Sequence, residues 1–151
     1  HESDALYGGY LDEALRLSLG GVAVITVLLA FFLRSTRALV QVMLPLAAAV
    51  LVVSAALVLA GRQLILLHLV GMLLVVAVGS NYALFFARSG GTPAPRTLAS
   101  LLFATLTTMT GFGLLAFSQV PVLQAIGITV GPGALLALLF SAALSDGKTA
   151  R

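Results

Sequence analysis

Five apolar runs, Leu17–Leu33, Ala38–Ala60, Leu64–Ala87, Thr97–Phe117 and Val120–Leu144, contain no Asp, Glu, Lys or Arg. Each is near the roughly 20 residues that a helix needs to cross the hydrocarbon of a bilayer, the first being the shortest. The runs are too long for strands. Hydrocarbon offers no partners to the backbone, so a run of this kind must close its hydrogen bonds internally, as a helix does. The expected fold class is an all-α membrane protein with five transmembrane helices, at 17–33, 38–60, 64–87, 97–117 and 120–144. Composition agrees: 9% of residues are charged, against roughly a quarter in ordinary soluble domains, and the mean hydropathy is +1.14.

The links between the runs are short, so neighbouring spans run antiparallel and the links alternate sides. One side receives Arg34, Arg37, Arg88, Arg96, Lys148 and Arg151, while the other receives Arg16 and Arg62 together with Glu2, Asp4, Asp12 and Glu13. The bias of basic residues toward the cytoplasm places the N-terminus outside and a short tail, 145–151, inside. Residues 1–16 form a polar lead-in. Leu6, Tyr10, Ala14 and Leu17 fall at helical spacing, Gly8-Gly9 interrupts the pattern, and a short interfacial helix over about Tyr10–Leu17 is expected. An outside start at His1 with no signal segment calls for an earlier membrane crossing, so the expectation is the back portion of a longer membrane protein, joined to an absent extracytoplasmic domain.

The same residues narrow the function classes. Eight basic residues scattered between apolar runs make no patch for nucleic acid. The chain has no cysteine, which excludes thiolate metal sites. No nucleophile–base pair, phosphate loop or metal-ligand spacing is present, so neither a catalytic centre nor a cofactor or metal is expected.

Polar residues inside the spans are therefore the informative ones. Gly79-Ser80-Asn81-Tyr82 sits in an otherwise apolar run, and a carboxamide there costs free energy unless it meets protein or water. The fourth span carries Ser100, Thr105, Thr107, Thr108, Thr110, Gly111 and Gly113, with Ala104, Thr107, Thr108 and Gly111 close to one helical face. Asn81 lies about 10 Å from the boundary marked by Arg88; a similar rise from Arg96 reaches Phe103 to Thr105, with Thr107 and Thr108 one turn deeper in the same half of the bilayer. A pairing of the third and fourth spans through Asn81, Thr107 and Thr108 follows, either as helix–helix glue of about 1 kcal/mol or less or as part of a transport path. His68, one turn inside the other end of the third span, is expected at the interface, with a proton relay as the alternative. Pro45 predicts a kink and Pro121 a helix first turn. Gly127, Gly131, Pro132 and Gly133 predict close helix approach and a bend.

The run Thr107-Thr108-Met109-Thr110-Gly111-Phe112-Gly113-Leu114-Leu115-Ala116-Phe117-Ser118-Gln119-Val120-Pro121 resembles a signature of resistance-nodulation-division (RND) transporters, closest to the MMPL-type branch of predicted exporters. Leu123, Gly127 and Gly131 continue the likeness. Gly79-Ser80-Asn81-Tyr82 occupies the place of that family's Gly-x-Asp-Tyr element. The resemblance implies that the five spans correspond to the last five of a twelve-helix RND transporter. It implies a secondary active transporter of the bacterial inner membrane, with no enzymatic activity, that exchanges protons for a lipid or other hydrophobic substrate. Its partners would be the bilayer and the N-terminal half and extracytoplasmic domains of the same longer chain. Gly79, Gly111, Gly113, Gly127, Gly131 and Pro132 would serve packing and kinks. The family's proton-binding Asp is replaced here by Asn81, which cannot titrate. Either the other half holds the acid, with Asn81 and Tyr82 as its hydrogen-bond environment, or coupling is degenerate and the module is a non-transporting scaffold or sensor.

Overall fold

Backbone hydrogen bonding decides where each apolar run begins and ends. The computed structural model describes residues 2–33, 35–89 and 94–146, apart from the side chains of residues 2–8, 11, 145 and 146. These residues form α1 (Glu2–Leu33), α2 (Thr36–Leu59), α3 (Leu66–Arg88), α4 (Pro95–Ala116) and α5 (Pro121–Asp146), with no strand among them. Each helix contains 22 to 24 residues long and apolar enough to cross a membrane. The chain is a multi-pass, all-helical membrane protein. Arg34, Lys148 and Arg151, which carry part of the charge asymmetry, lie outside the described residues.

The lead-in differs from expectation. Instead of a short helix after Gly8-Gly9, α1 is continuous for 32 residues, about 48 Å at 1.5 Å per residue. Once the apolar span has nucleated a helix, each further residue adds a hydrogen bond without a new nucleus. Two glycines, at about 1 kcal/mol each, do not stop that propagation. The exposed Asp12–Arg16 pair, 2.9 Å apart at i,i+4, adds a minor local contribution.

The helix ends follow local chemistry. Gly61, at φ +69°, takes the left-handed position after α2; its N–H donates to the Val58 carbonyl at 3.0 Å and the Arg62 N–H to the Leu57 carbonyl at 3.0 Å. That pair of bonds is a Schellman cap, and it turns the chain toward α3. Pro95 opens α4 and Pro121 opens α5, where a missing N–H costs nothing. α2 and α5 continue through Pro45 and Pro132, each forgoing one donor in its ladder.

α5 is the helix on which the bundle is assembled. It packs extensively against α4, α3 and α2; α1 lies on the far side, against α3 and α2. α4 makes extensive contact with α5 alone. Half of the α5 span is buried, against 6% of α1 and of α4.

Small residues make these contacts possible. A Cβ on Gly71 would lie 2.8 Å from the Thr129 Cβ, one on Gly133 would meet the Val75 side chain, and one on Gly79 would lie 2.8 Å from the Ala137 Cβ. The partners advance together along both chains, so α3 and α5 run parallel and stay in contact over about 12 Å. The α5 ridge is Ala125, Thr129, Gly133, Ala137 and Ser141, every fourth residue and all buried. Gly127 stands about 200° around the helix from Thr129 and meets the α4 backbone at Phe112, Leu115 and Ala116. The two faces of α5 therefore grip different neighbours.

Filling this seam is expected to destabilise the bundle. Gly133→Val lowers stability in detergent by about 1–3 kcal/mol through overpacking against Val75. Gly20→Ala, at a helical position with nothing within 4 Å, leaves stability unchanged or raises it by up to about 1 kcal/mol. Denaturant titration of both variants checks the contrast.

Candidate functional site

The rotation of α3 against α5 separates Asn81 from Tyr82. The buried face of α3 is built from His68, Gly71, Met72, Val75, Gly79, Tyr82, Ala83 and Phe86. Val70, Ala77, Asn81 and Arg88 line the opposite, exposed stripe. Tyr82 is 6% exposed and belongs to the main core cluster with Leu46, Ala83, Phe86 and Ala137. Asn81 points out of the bundle, and its carboxamide has no hydrogen-bond partner among the described residues.

α4 leaves its threonines similarly placed. Thr107 is exposed and Thr108 half-buried. Their hydroxyls donate to the carbonyls of Phe103 (2.9 Å) and Ala104 (3.0 Å), and Thr110 donates to Leu106 at 2.8 Å. Back-bonding of this kind satisfies the donor within the helix and leaves the oxygen able to accept. Ser100, Ala104, Thr107 and Gly111 form an uncovered strip of small side chains.

The expected pairing of Asn81 with Thr107 and Thr108 is therefore not made within this chain. α3 and α4 both pack on α5 and make no extensive contact with each other. The glycines divide likewise. Gly79 and Gly127 are sites of close approach, Gly131 makes ordinary contact with Phe112 and Gly113 at 3.8–4.0 Å, and Gly111 and Gly113 have nothing within 4 Å of a notional Cβ. Pro132 is exposed within α5.

Sequence reasoning passed over Thr129 and Ser141 and gave Thr105 no place of its own among the buried polar groups. Thr105, Thr129 and Ser141 are almost fully buried, each hydroxyl donating four residues back, to Leu101, Ala125 and Ala137, at 2.6–2.8 Å. The four-residue repeat of small side chains through Thr129 and Ser141 was the available signal. His68 stands in the first turn of α3 and is 4% exposed, packed inside the bundle. Its Nδ1 accepts the Ile65 N–H at 3.2 Å, as the acid of a capping box does at the third helical position. The neutral ring then carries its proton on Nε2, which is buried without a partner, at a cost of about 1–3 kcal/mol.

Two recesses adjoin these elements. A wholly apolar one of about 240 Å³ lies between α1, α2 and α3, bounded by Leu15, Leu19, Leu69, Met72 and Val76. A second, of about 200 Å³, lies at the end where α2 turns to α3 and α4 to α5, with Arg62, Gln63, His68, Pro121 and Gln124 on its wall. At the opposite end of α3, the Arg88 guanidinium stands 4.5 Å over the Phe32 ring of α1, a cation–π contact that ties the two helices. No group of three His, Cys, Asp or Glu comes together among the described residues.

No protein-family model matches the sequence, and neither curated proteins nor solved structures provide a match.

The opposite placements of neighbours Asn81 and Tyr82 have unequal consequences for folding. Tyr82→Ala, in the core, is expected to cost about 3–5 kcal/mol, while Asn81→Leu, on the exposed stripe, changes the stability of this chain by less than about 0.5 kcal/mol or raises it. Unfolding titrations in detergent measure both.

Proposed function

We propose that this chain is the C-terminal membrane part of a proton-driven exporter of the RND superfamily, MMPL type, acting on lipids or other hydrophobic molecules in the bacterial inner membrane. The observation that carries the reading is the outward-facing carboxamide of Asn81. It occupies the place of the Gly-x-Asp-Tyr element in the resemblance, at a depth where an unpartnered amide is costly. A polar group from the other half of the transporter, arriving at the exposed stripe of α3, removes that cost.

The chemistry assigned to the site follows from what each side chain can do. Asn81 cannot release a proton, but its NH₂ can donate to a carboxylate. Hydrogen bonding to the charged form favours ionisation, so Asn81 promotes proton release from an acid on the facing half. Thr107 and Thr108 have spent their donors on α4 carbonyls and retain acceptor oxygens; with α5 between them and Asn81, they would receive a separate donor from the other half. Tyr82 holds α3 in register from the core side. Export then makes and breaks the contact between Asn81 and that acid as the halves move. In this reading the N-terminus of the chain is extracytoplasmic and its C-terminus cytoplasmic.

A second reading has its own support: none of the five spans contains Asp or Glu. A scaffold or sensor built on the same helices needs no proton site. It is favoured if the equivalent helix of the first half also lacks a carboxylate.

In the full-length transporter, Asn81→Leu is expected to reduce proton-coupled export roughly ten-fold or more, the value of a hydrogen bond to a charged group, with normal abundance in the membrane. Transport into vesicles under an imposed pH gradient measures it, and unimpaired export by Asn81→Leu overturns the assigned role.

A further inference from the structure

The first turn of α3 is closed by a hydrogen bond that exists in only one charge state of its acceptor. His68 is the third residue of α3, and its Nδ1 accepts the Ile65 N–H at 3.2 Å. The His68 N–H in turn donates to the Ile65 carbonyl at 2.9 Å. Both backbone groups of Ile65 are thus held by one residue. A ring nitrogen accepts only through its lone pair, so Nδ1 carries no proton and the ring is neutral. Nε2 keeps the single ring proton, buried and unpaired.

An acid at this position of a capping box keeps its acceptor oxygens down to about pH 4. Imidazole instead changes charge between about pH 5 and 8. Imidazolium has an N–H on both nitrogens and no acceptor, so protonation at Nδ1 sets a donor against the Ile65 N–H. Ile65 is 41% exposed, and local opening of the link uncovers the Nδ1 lone pair without unfolding the bundle.

Nothing around the ring offers the cation a partner. Arg62, from the link between α2 and α3, shares the wall of the small recess with His68 and repels a second positive charge. The α5 residues there, Pro121, Gln124, Ala125 and Ile128, do not titrate, and neither does Gln63. The end of α2, Ala56–Ala60, carries no charge. On α1, Asp12, Glu13 and Arg16 are exposed, and Asp12 is paired with Arg16. Opening is bounded on the other side by Gly71, three residues beyond His68, which is locked against Thr129.

We propose that the link between α2 and α3 is a pH-sensitive latch, closed through Ile65 by the neutral ring of His68 and released by protonation at Nδ1. The latch is shut at neutral pH and opens on acidification, freeing Ile65 and the first turn of α3. It lies at the far end of α3 from Asn81 and is independent of the exporter reading.

Amide exchange on the intact ¹⁵N-labelled protein in detergent, followed by NMR, tests the latch. Rates are expressed as protection factors, which removes the intrinsic pH dependence of exchange. The Ile65 amide is expected to lose protection roughly three- to ten-fold between about pH 7.5 and about pH 5, the value of one hydrogen bond. The Ser89 amide, which donates to the Phe85 carbonyl at the other end of α3, is expected to keep its protection. His68→Asn offers a side-chain oxygen in place of Nδ1 and does not titrate, so it is expected to hold Ile65 equally at both pH values. Three results overturn the proposal: Ile65 protection that does not change with pH; a fall shared equally by Ser89, which marks general unfolding; or a pH-dependent fall at Ile65 that persists in His68→Asn. The first two are read on the unsubstituted chain and decide the matter even where His68→Asn does not fold.

Discussion

Close backbone contact between α3 and α5 is the constraint on which the other helices depend. Lipid tails are as apolar as leucine, so helices gain nothing by merely hiding hydrophobic surface from them. Association must come from van der Waals packing, and that requires small residues where axes approach. Gly71, Val75 and Gly79 meet Thr129, Gly133 and Ala137 in a parallel seam. Leu46 of α2 enters the same seam, where a Cβ on Gly79 would lie 2.6 Å from its Cδ2. α2 is thereby seated against both helices. α1 is then carried on α2 and α3, and α4 hangs from the opposite face of α5 through Gly127.

Fixing the seam also fixes what is left outside it. Once Gly79 and Tyr82 face inward, helical geometry turns Asn81 outward, because the stripe of Val70, Ala77, Asn81 and Arg88 lies across the helix from the seam. Once Gly127 faces α4, the hydroxyl strip beginning at Ser100 is left uncovered. The bundle thus presents polar groups on surfaces of its outer helices while its centre is closed by alanine, glycine and back-bonded threonine. In a proton-coupled reading those surfaces meet the other half of the transporter. The His68 recess belongs to a different end of the same seam and follows from the cap that starts α3.

Much of this was legible from residue order. Runs without Asp, Glu, Lys or Arg marked the five spans, and Pro121 marked the start of α5. The position of Asn81 along α3, two turns before Arg88, followed from residue count. Which faces meet did not follow, because depth is counted along a helix axis whereas contact depends on rotation and lateral order. Asn81 and Thr107 were expected in the same half of the bilayer and yet lie on helices separated by α5. The Gly127–Gly131 spacing was readable as close approach, but the longer repeat Ala125–Thr129–Gly133–Ala137–Ser141 mixes four residue types and is recognised only by size. The length of α1 was hidden because Gly8-Gly9 reads as an interruption, although a helix already nucleated in the span passes through it. His68 as a cap was hidden because its partner, the Ile65 N–H, belongs to an apolar residue.

The arrangement of α3, α4 and α5 is tested most directly by paired cysteines, since the chain has none of its own. Under mild oxidation in native membranes, Gly79→Cys with Ala137→Cys is predicted to form an intramolecular disulfide, because Cβ positions at this seam fall within reach of the bond after a slight spreading of the helices. Asn81→Cys with Thr107→Cys is predicted to remain reduced. Bridging of the second pair and not the first would contradict the account, placing α3 against α4 and moving α5 out of the centre of the bundle.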